Sequence, residues 1–339
     1  MKRLCEAYGA RFLQPGSSCA NLYQKLLDHS FHEQPRQAYK KTSITAGGQP
    51  LIFSLKYGKD SEPQRLRTVM EPGGNSLTPS QQVDYCLHVL NEVIEQEGWR
   101  IDADLNRILP IIYPTDAEDT AEWVSGMWIG MDSGDALPAW KLYLPLRFQP
   151  DRERWQKVAD CLVLYSCQDM EPTFRTILAV TGREGHPLGI GCGVCPEGLQ
   201  GIRVYITFGK SCQAYFRELC AALDVPGGAE GEAFFTAANL LAGSGPSSVL
   251  AVDFVRDKSG WLRPKPYRIK AEANFCNMDR EQQSSIFPFF SAQMASAGFD
   301  AKKFENDWAI AKQYFPELKV QYCSVGVGSS PHFSLYFEP

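Results

Sequence analysis

The chain is poor in the features that mark several large protein classes. It has no run of 18 apolar residues, and its opening stretch, Met1 to Leu13, is interrupted by Lys2, Arg3, Glu6 and Arg11. Neither a membrane-spanning helix nor a secretory leader is expected. It has no surplus of positive charge: 34 Lys and Arg stand against 39 Asp and Glu, for a net −5 and a pI of about 5.7. That excludes a general binder of nucleic acid or anionic membrane and confines any basic patch to a local feature. The 5 histidines, His29, His32, His88, His186 and His332, fall into no metal-ligand spacing. Cysteine is not scarce, but 11 is an odd number scattered over 339 residues, which fits reduced thiols in a cytoplasmic protein rather than a disulfide framework. The one C-x-x-C, Cys192 to Cys195, has neither a second pair to complete a zinc site nor a βαβ context for redox chemistry. No metal site is expected.

What the chain does have is a repeated tripeptide. Lys141-Leu142-Tyr143, Arg203-Val204-Tyr205 and Lys265-Pro266-Tyr267 share one shape, their tyrosines an even 62 residues apart, and Ser334-Leu335-Tyr336 is a weaker fourth copy. Regular spacing of this kind marks one supersecondary unit used several times. Residues i and i+2 of a strand lie on one face, so each copy presents its cation beside its phenol. Converging faces would form a pocket of cationic groups and tyrosine rings, suited to a ligand with concentrated negative charge and an apolar or cationic portion.

The surrounding pattern is of hairpins and helices. Alternating segments bracket turn-like stretches near residues 50–72, 127–148, 188–209, 248–272 and 320–338, the fourth hairpin pairing Val249 to Val255 with Arg263 to Ala271. Between them, 3.6-residue periodicity predicts helices over Pro79 to Glu97, Asp151 to Tyr165, Ser211 to Leu223, Glu232 to Leu241, Glu281 to Ala297 and Lys302 to Tyr314. In each second strand one face is apolar (Trp140, Leu142, Leu144; Ile202, Val204, Ile206; Phe333, Leu335, Phe337) and the other polar (Lys141, Tyr143; Arg203, Tyr205; His332, Ser334, Tyr336). Five such hairpins remove their open edges by closing. The expected fold class is α+β, a single domain over 1–339: a ten-stranded antiparallel barrel of five αββα repeats, helices outside and a solvated lumen within.

These motifs resemble those of the ABBA-type aromatic prenyltransferases, in the dimethylallyltryptophan synthase branch. Pro50 to Ser54 followed by Arg67 to Pro72 is similar to that branch's P-x-E-x-S and later arginine before E-P, and Gly130-Met131-Asp132 leading to Lys141-Leu142-Tyr143 resembles its G-x-D and K-x-Y hairpin. The likeness runs from about residue 45 to the C-terminus, in a chain of bacterial rather than fungal size. The resemblance implies transfer of a dimethylallyl or geranyl group from its diphosphate to an electron-rich arene, most naturally an indole or tryptophan derivative. It further implies that Arg67, Lys141, Arg203 and Lys265 bind the diphosphate, that Tyr143, Tyr205, Tyr267 and Tyr336 shield the allyl cation, and that Ile52, Ser54 and Trp128 meet the acceptor. Lys141, Arg203, Tyr205 and His332 are the expected catalytic residues. The partners so implied are small molecules, handled by a monomer or weak dimer.

Three departures bear on the acceptor. Ile52 stands where the family carries a proton-accepting glutamate, and it can do no acid–base work; Glu71 or Asp253 could substitute. Gly201 replaces an arginine, and His332, which replaces a tyrosine, becomes a candidate diphosphate ligand or proton acceptor. The alternatives are a phenol or ribosomal cyclic-peptide acceptor, or a non-catalytic binding barrel. No cofactor is required by these residues. Magnesium stays open, because the D-D-x-x-D that holds magnesium diphosphate in isoprenyl chain synthases is absent and the nearest approach, Asp116-Ala117-Glu118-Asp119, reads as a helix cap.

Overall fold

A computed structural model describes residues 1–31, 44–45, 49–58, 66–73, 77–97, 102–113, 126–133, 139–146, 151–166, 169–182, 184–209, 211–243 and 248–339. The Asp116 to Asp119 stretch, the turn of the first hairpin and Gly134-Asp135 of the second lie outside them.

The described strands form five antiparallel hairpins. They are β1 (Leu51–Gly58) with β2 (Arg67–Met70), β3 (Trp128–Asp132) with β4 (Ala139–Pro145), β5 (His186–Cys195) with β6 (Gly198–Phe208), β7 (Ser248–Val255) with β8 (Arg268–Asn274), and β9 (Lys319–Gly328) with β10 (His332–Glu338). Neighbouring hairpins pair as well, and β1 pairs with β10 through Phe53↔Phe337 and Ser54↔Tyr336, so the sheet closes on itself. The helices lie between hairpins: α1 (Lys2–Gly9) and α2 (Ser18–Ser30) first, then α3 (Pro79–Glu97) with α4 (Asp102–Ile112), α5 (Asp151–Leu164) with α6 (Glu171–Thr181), α7 (Gln213–Ala222) with α8 (Gly228–Ala242), and α9 (Arg280–Ser296) with α10 (Ala301–Tyr314). Side chains close several of their first turns: Asp279 and Gln282 form a reciprocal capping box on α9, Asp300 accepts from Lys303 N on α10, and Ser17 accepts from Ala20 N on α2.

Alternation along each strand sends the apolar set outward. Leu51, Phe53, Ile129, Leu142, Leu144, Val204, Ile206, Val252, Ile269, Ala271, Leu335 and Phe337 are all buried between sheet and helices. Aromatic side chains knit the two layers: the Tyr8 ring of α1 lies 4.9 Å from Phe53 and 5.2 Å from Phe315, and Phe333 lies 4.5 Å from Phe299 and 4.9 Å from Phe234. Each such pair adds to the area term that holds the layers together. The core is therefore an annulus around the barrel.

The fourth hairpin departs from expectation. Its second strand begins at Arg268, not Arg263, because Pro264 and Pro266 have no N–H to give a ladder; pairing lapses after the Arg263 N to Val255 O bond, 3.1 Å, and resumes with Tyr267 N to Asp253 O, 2.8 Å. Helices α1, α2, α4 and α6 lie outside the segments that periodicity predicts as helical. Pro110 interrupts the α4 pattern and Pro172 stands at the start of α6.

One buried acid sits in the annulus. The Tyr57 hydroxyl donates to Asp307 Oδ2 at 2.7 Å, and burial pushes that carboxyl up to about 6. Since the folded value is above the unfolded one, the acid favours the fold most below about pH 4, and its contribution falls as pH rises towards 6. Asp307→Asn keeps an acceptor for Tyr57 and removes the charge. Its melting temperature should exceed that of the wild type at pH 8, with the gap closing by pH 4 in a thermal-denaturation series.

Candidate active site

The inward faces of the strands carry polar side chains, and register places them in layers. At the hairpin end, Arg67 pairs across to Asp132, Arg203 to Asp253 and Asp253 to Arg268, with Lys56 of β1 and Lys141 of β4 completing a belt of cations. Two residues deeper on their strands come Tyr143 and Tyr205, then Trp128, Ile52 and Tyr336. A cavity of about 770 Å³ opens within this belt, lined by Ser54, Lys56, Arg67, Lys141, Tyr143 and Arg203, with Asp253, Arg268 and Tyr336 beside them and Tyr267 at the rim.

The large side chains fit because the strands between them carry glycine. Gly191 on β5 stands between Tyr143 and Arg203, and a Cβ there would lie 3.1 Å from the Tyr205 ring. At Gly130 a Cβ would come within 2.9 Å of the Tyr143 ring. Trp128, Tyr143 and Tyr205 consequently run as one aromatic wall, with ring centroids 6.1 and 5.9 Å apart.

The charges are unequally satisfied. Asp253 is gripped by two guanidiniums, Arg203 (Nη2 to Oδ2, 2.5 Å) and Arg268 (Nε to Oδ2, 2.8 Å). Burial alone would raise its pKa, but Arg203 and Arg268 outweigh it and hold the carboxyl far below the usual range. Arg203 also donates to the Tyr205 hydroxyl at 3.2 Å. Arg67 pairs with Asp132 at 2.9 Å, and Lys270 with Glu272 and with the Tyr336 hydroxyl, 2.8 Å. Burial works against the Tyr336 phenolate, yet the Lys270 ammonium and Arg67 overcome it and lower this phenol's pKa. Among the described residues no carboxylate pairs with Lys56 or Lys141. Burial, then repulsion from Arg203, takes Lys141 well below the ordinary lysine range; burial, then Arg67, takes Lys56 down to about 7.

Not every expected residue is in this space. Lys265 is a correction: it stands outside the barrel, 61% exposed and bonded to Asp224 at 2.5 Å. Tyr267 follows it out of register, shares the outward parity of Ile269 and Ala271, and reaches the cavity only at the rim, 38% exposed. Arg268 and Lys270 occupy the inward positions instead, and Lys56 joins them. Their signal was present as the alternation Arg268, Lys270, Glu272 beside apolar Ile269, Ala271 and Ala273. His332 is inward but buried against Gly326, with Nδ1 3.2 Å from Ser330 O and 3.4 Å from Arg268. Burial, then Arg268, holds it well below the ordinary histidine value, so it is neutral and lacks the charge wanted in a diphosphate ligand. Ile52 is buried between Ser54 and the barrel's deep end, opposite Val69. Neither substitute carboxylate is available: Asp253 is held by its arginines, and Glu71 is buried against Gln82 at 2.6 Å. Among the described residues no cluster of His, Cys, Asp and Glu is placed to hold a metal ion, and no helix is long and apolar enough to cross a membrane.

Similar architectures are known. No family model and no curated protein matches this sequence, but solved structures do match its fold. The 5-dimethylallyltryptophan synthase from Streptomyces coelicolor, solved in complex with DMASPP and Trp, superposes with a TM-score of 0.78 at 14% identity, over 99% of this chain and 92% of its own. The 6-dimethylallyltryptophan synthase from Micromonospora olivasterospora gives 0.76 at 17%, over 99% and 94%, and the prenyltransferase PriB 0.74 at 16%, over 99% and 92%. The chain has the ABBA barrel fold. At these identities the likeness establishes architecture, and the chemistry has to be argued from the lumen.

Two buried lysines whose proton affinity is lowered make anion binding and proton uptake inseparable. A polyanion seated among Lys56, Lys141 and the arginines raises both lysines, so at pH 8 inorganic pyrophosphate should bind with net proton uptake and more weakly as pH rises from 7 to 9. Calorimetry in two buffers of different ionisation enthalpy measures this. Lys56→Met should reduce the uptake.

Proposed function

We propose that the chain is an aromatic prenyltransferase. It moves a dimethylallyl or geranyl group from its diphosphate to an electron-rich arene, with an indole or tryptophan derivative as the acceptor, and residues 1–339 act as one barrel domain in the cytoplasm. The observation that carries this reading is the stacking of two layers in one closed lumen, a belt of cations with two lysines that have no carboxylate partner among the described residues, above a wall of tyrosine and tryptophan rings. Ordinary ligand pockets place few charges among apolar walls. The free thiols of the described cysteines support the compartment.

The two layers match the two fragments made when an allylic C–O bond breaks. Lys56, Arg67, Lys141, Arg203 and Arg268 give charge-assisted hydrogen bonds to the departing pyrophosphate, with Arg268 in the place first given to Lys265. Asp253 keeps two of these guanidiniums fixed before substrate arrives, so their orientation costs nothing during the reaction. Tyr143, Tyr205 and Tyr336 present π faces to the allyl cation and exclude water from it. Ile52 and Trp128, deeper in the barrel, shape the acceptor site together with Ser54 across from Arg67, and the ring carbon attacks the cation from there. Once carbon–carbon bond formation has dearomatised the ring, its proton is acidic enough for pyrophosphate to remove. The basic side chains perform the charge neutralisation that magnesium performs elsewhere, and turnover should survive EDTA.

The direct test is incubation with dimethylallyl and geranyl diphosphates against indoles, phenols and cyclic peptides, read by mass spectrometry for a gain of one prenyl unit on an indole. Consumption of neither diphosphate, with or without acceptors, would reject the reading. Lys141→Ala should slow turnover roughly a hundredfold or more at saturating prenyl diphosphate while the fold is kept. Lys265→Ala, outside the barrel, should leave it unchanged.

Ile52 yields a separate expectation. Ile52→Ala should alter acceptor preference or regiochemistry more than rate, and Ile52→Glu should improve simple indoles by supplying an anion for the N–H. If both variants keep the wild-type product profile and rates, position 52 lies outside the acceptor site.

A further inference from the structure

We propose that Glu272 on β8 is the carboxylate that holds the acceptor's ring N–H, so that the anion missing at Ile52 of β1 is supplied three strands further around the barrel. This deepens the reading above, on which it rests, and it specifies the acceptor as an N–H heteroarene.

Four observations converge on Glu272. It shares the inward face of β8 with Arg268 and Lys270, while Ile269, Ala271 and Ala273 between them are fully buried outside. Its register neighbours are Val249 and Ser324, two residues deeper along their strands than those of Lys270 and four deeper than those of Arg268 in the diphosphate belt. Its charge acts on Tyr143, Tyr205 and Tyr336 together, which places it beside the rings that would surround the allyl group. Finally, Oε1 takes the Lys270 ammonium, whereas the side chain retains 16% exposure against 2% for Lys270. A buried cation anchors one oxygen, and the side chain as a whole keeps some exposure.

The inward carboxylates at the hairpin end are differently employed. Asp132 answers Arg67 and Asp253 answers two arginines, all at the hairpin end. Glu272 lies deeper in the barrel than either, next to the tyrosines on which its charge acts. There it can accept a hydrogen bond from the acceptor's N–H. As the ring carbon forms its bond to the allyl carbon, positive charge develops on that nitrogen, and a fixed carboxylate in low dielectric stabilises it. The C–O electron pair leaves with pyrophosphate, the new C–C bond takes the ring's π pair, and the ring C–H proton passes to pyrophosphate as its electron pair restores aromaticity.

The test pairs tryptophan with N1-methyltryptophan, each with dimethylallyl diphosphate. The wild type should prefer tryptophan. Glu272→Gln, which keeps the shape and removes the charge, should lose about a hundredfold in kcat/KM on tryptophan and only a few-fold on the N-methyl compound. Glu272→Asp should retain part of the preference, and Ile52→Glu combined with Glu272→Gln should recover at least tenfold on tryptophan. Equal losses on both acceptors, or none, would overturn the assignment while prenylation by the wild type continues to support the parent reading. A wild type that neither alkylates an acceptor nor consumes the diphosphate would overturn both.

Discussion

A cation taken into a protein wall must be paired, hydrated or neutralised, because the desolvation cost otherwise exceeds anything its surroundings return. The lumen of this barrel meets that constraint in more than one way. Asp253 is shared by Arg203 and Arg268, Asp132 answers Arg67, and Glu272 answers Lys270. Lys56 and Lys141 shed affinity for their protons instead. Carboxylates orient the permanent charges, and the adjustable ones remain available to an incoming anion.

The inverted polarity of the sheet follows from the same constraint. A barrel filled by its own apolar residues needs no outer core, whereas one that keeps charges within has to find its hydrophobic stabilisation elsewhere. Here the helices supply it, packing Tyr8, Phe234, Phe299 and Phe315 against the outward residues of the strands. Glycines on β3, β5 and β9 then give the inward side chains of neighbouring strands their room. The fold's stability and the lumen's chemistry thus reside on opposite faces of the same strands, and residues of one face can change without dissolving the other.

Architecture was legible in the sequence to the extent that it depends on local pattern. Period-two alternation with a greasy face and a charged one, recurring at a regular interval, is itself the instruction for hairpins that must close around something polar. Lys141, Tyr143, Arg203 and Tyr205 could therefore be placed inside before any coordinates. Lys265 could not be placed correctly by the same rule, since the prolines beside it break the strand and shift its parity. The interrupted patterns of α4 and α6 hid those helices for a related reason: a proline is tolerated in a helix when packing compensates, and packing is not written locally.

What the chain alone determined was which residues face together along each strand, because side-chain direction alternates with a period that no tertiary contact can change. What only the tertiary structure decided was which strands face one another across the lumen and at what depth. Register and closure bring Asp253 between two arginines, leave Lys56 and Lys141 without a carboxylate partner among the described residues, bury His332 as a neutral ring, and set Glu272 among tyrosines drawn from three other strands. Pairings such as Arg203 with Asp253, 50 positions apart, and Arg268 with His332, 64 apart, depend on how the sheet shears as it closes, and that quantity belongs to the barrel as a whole.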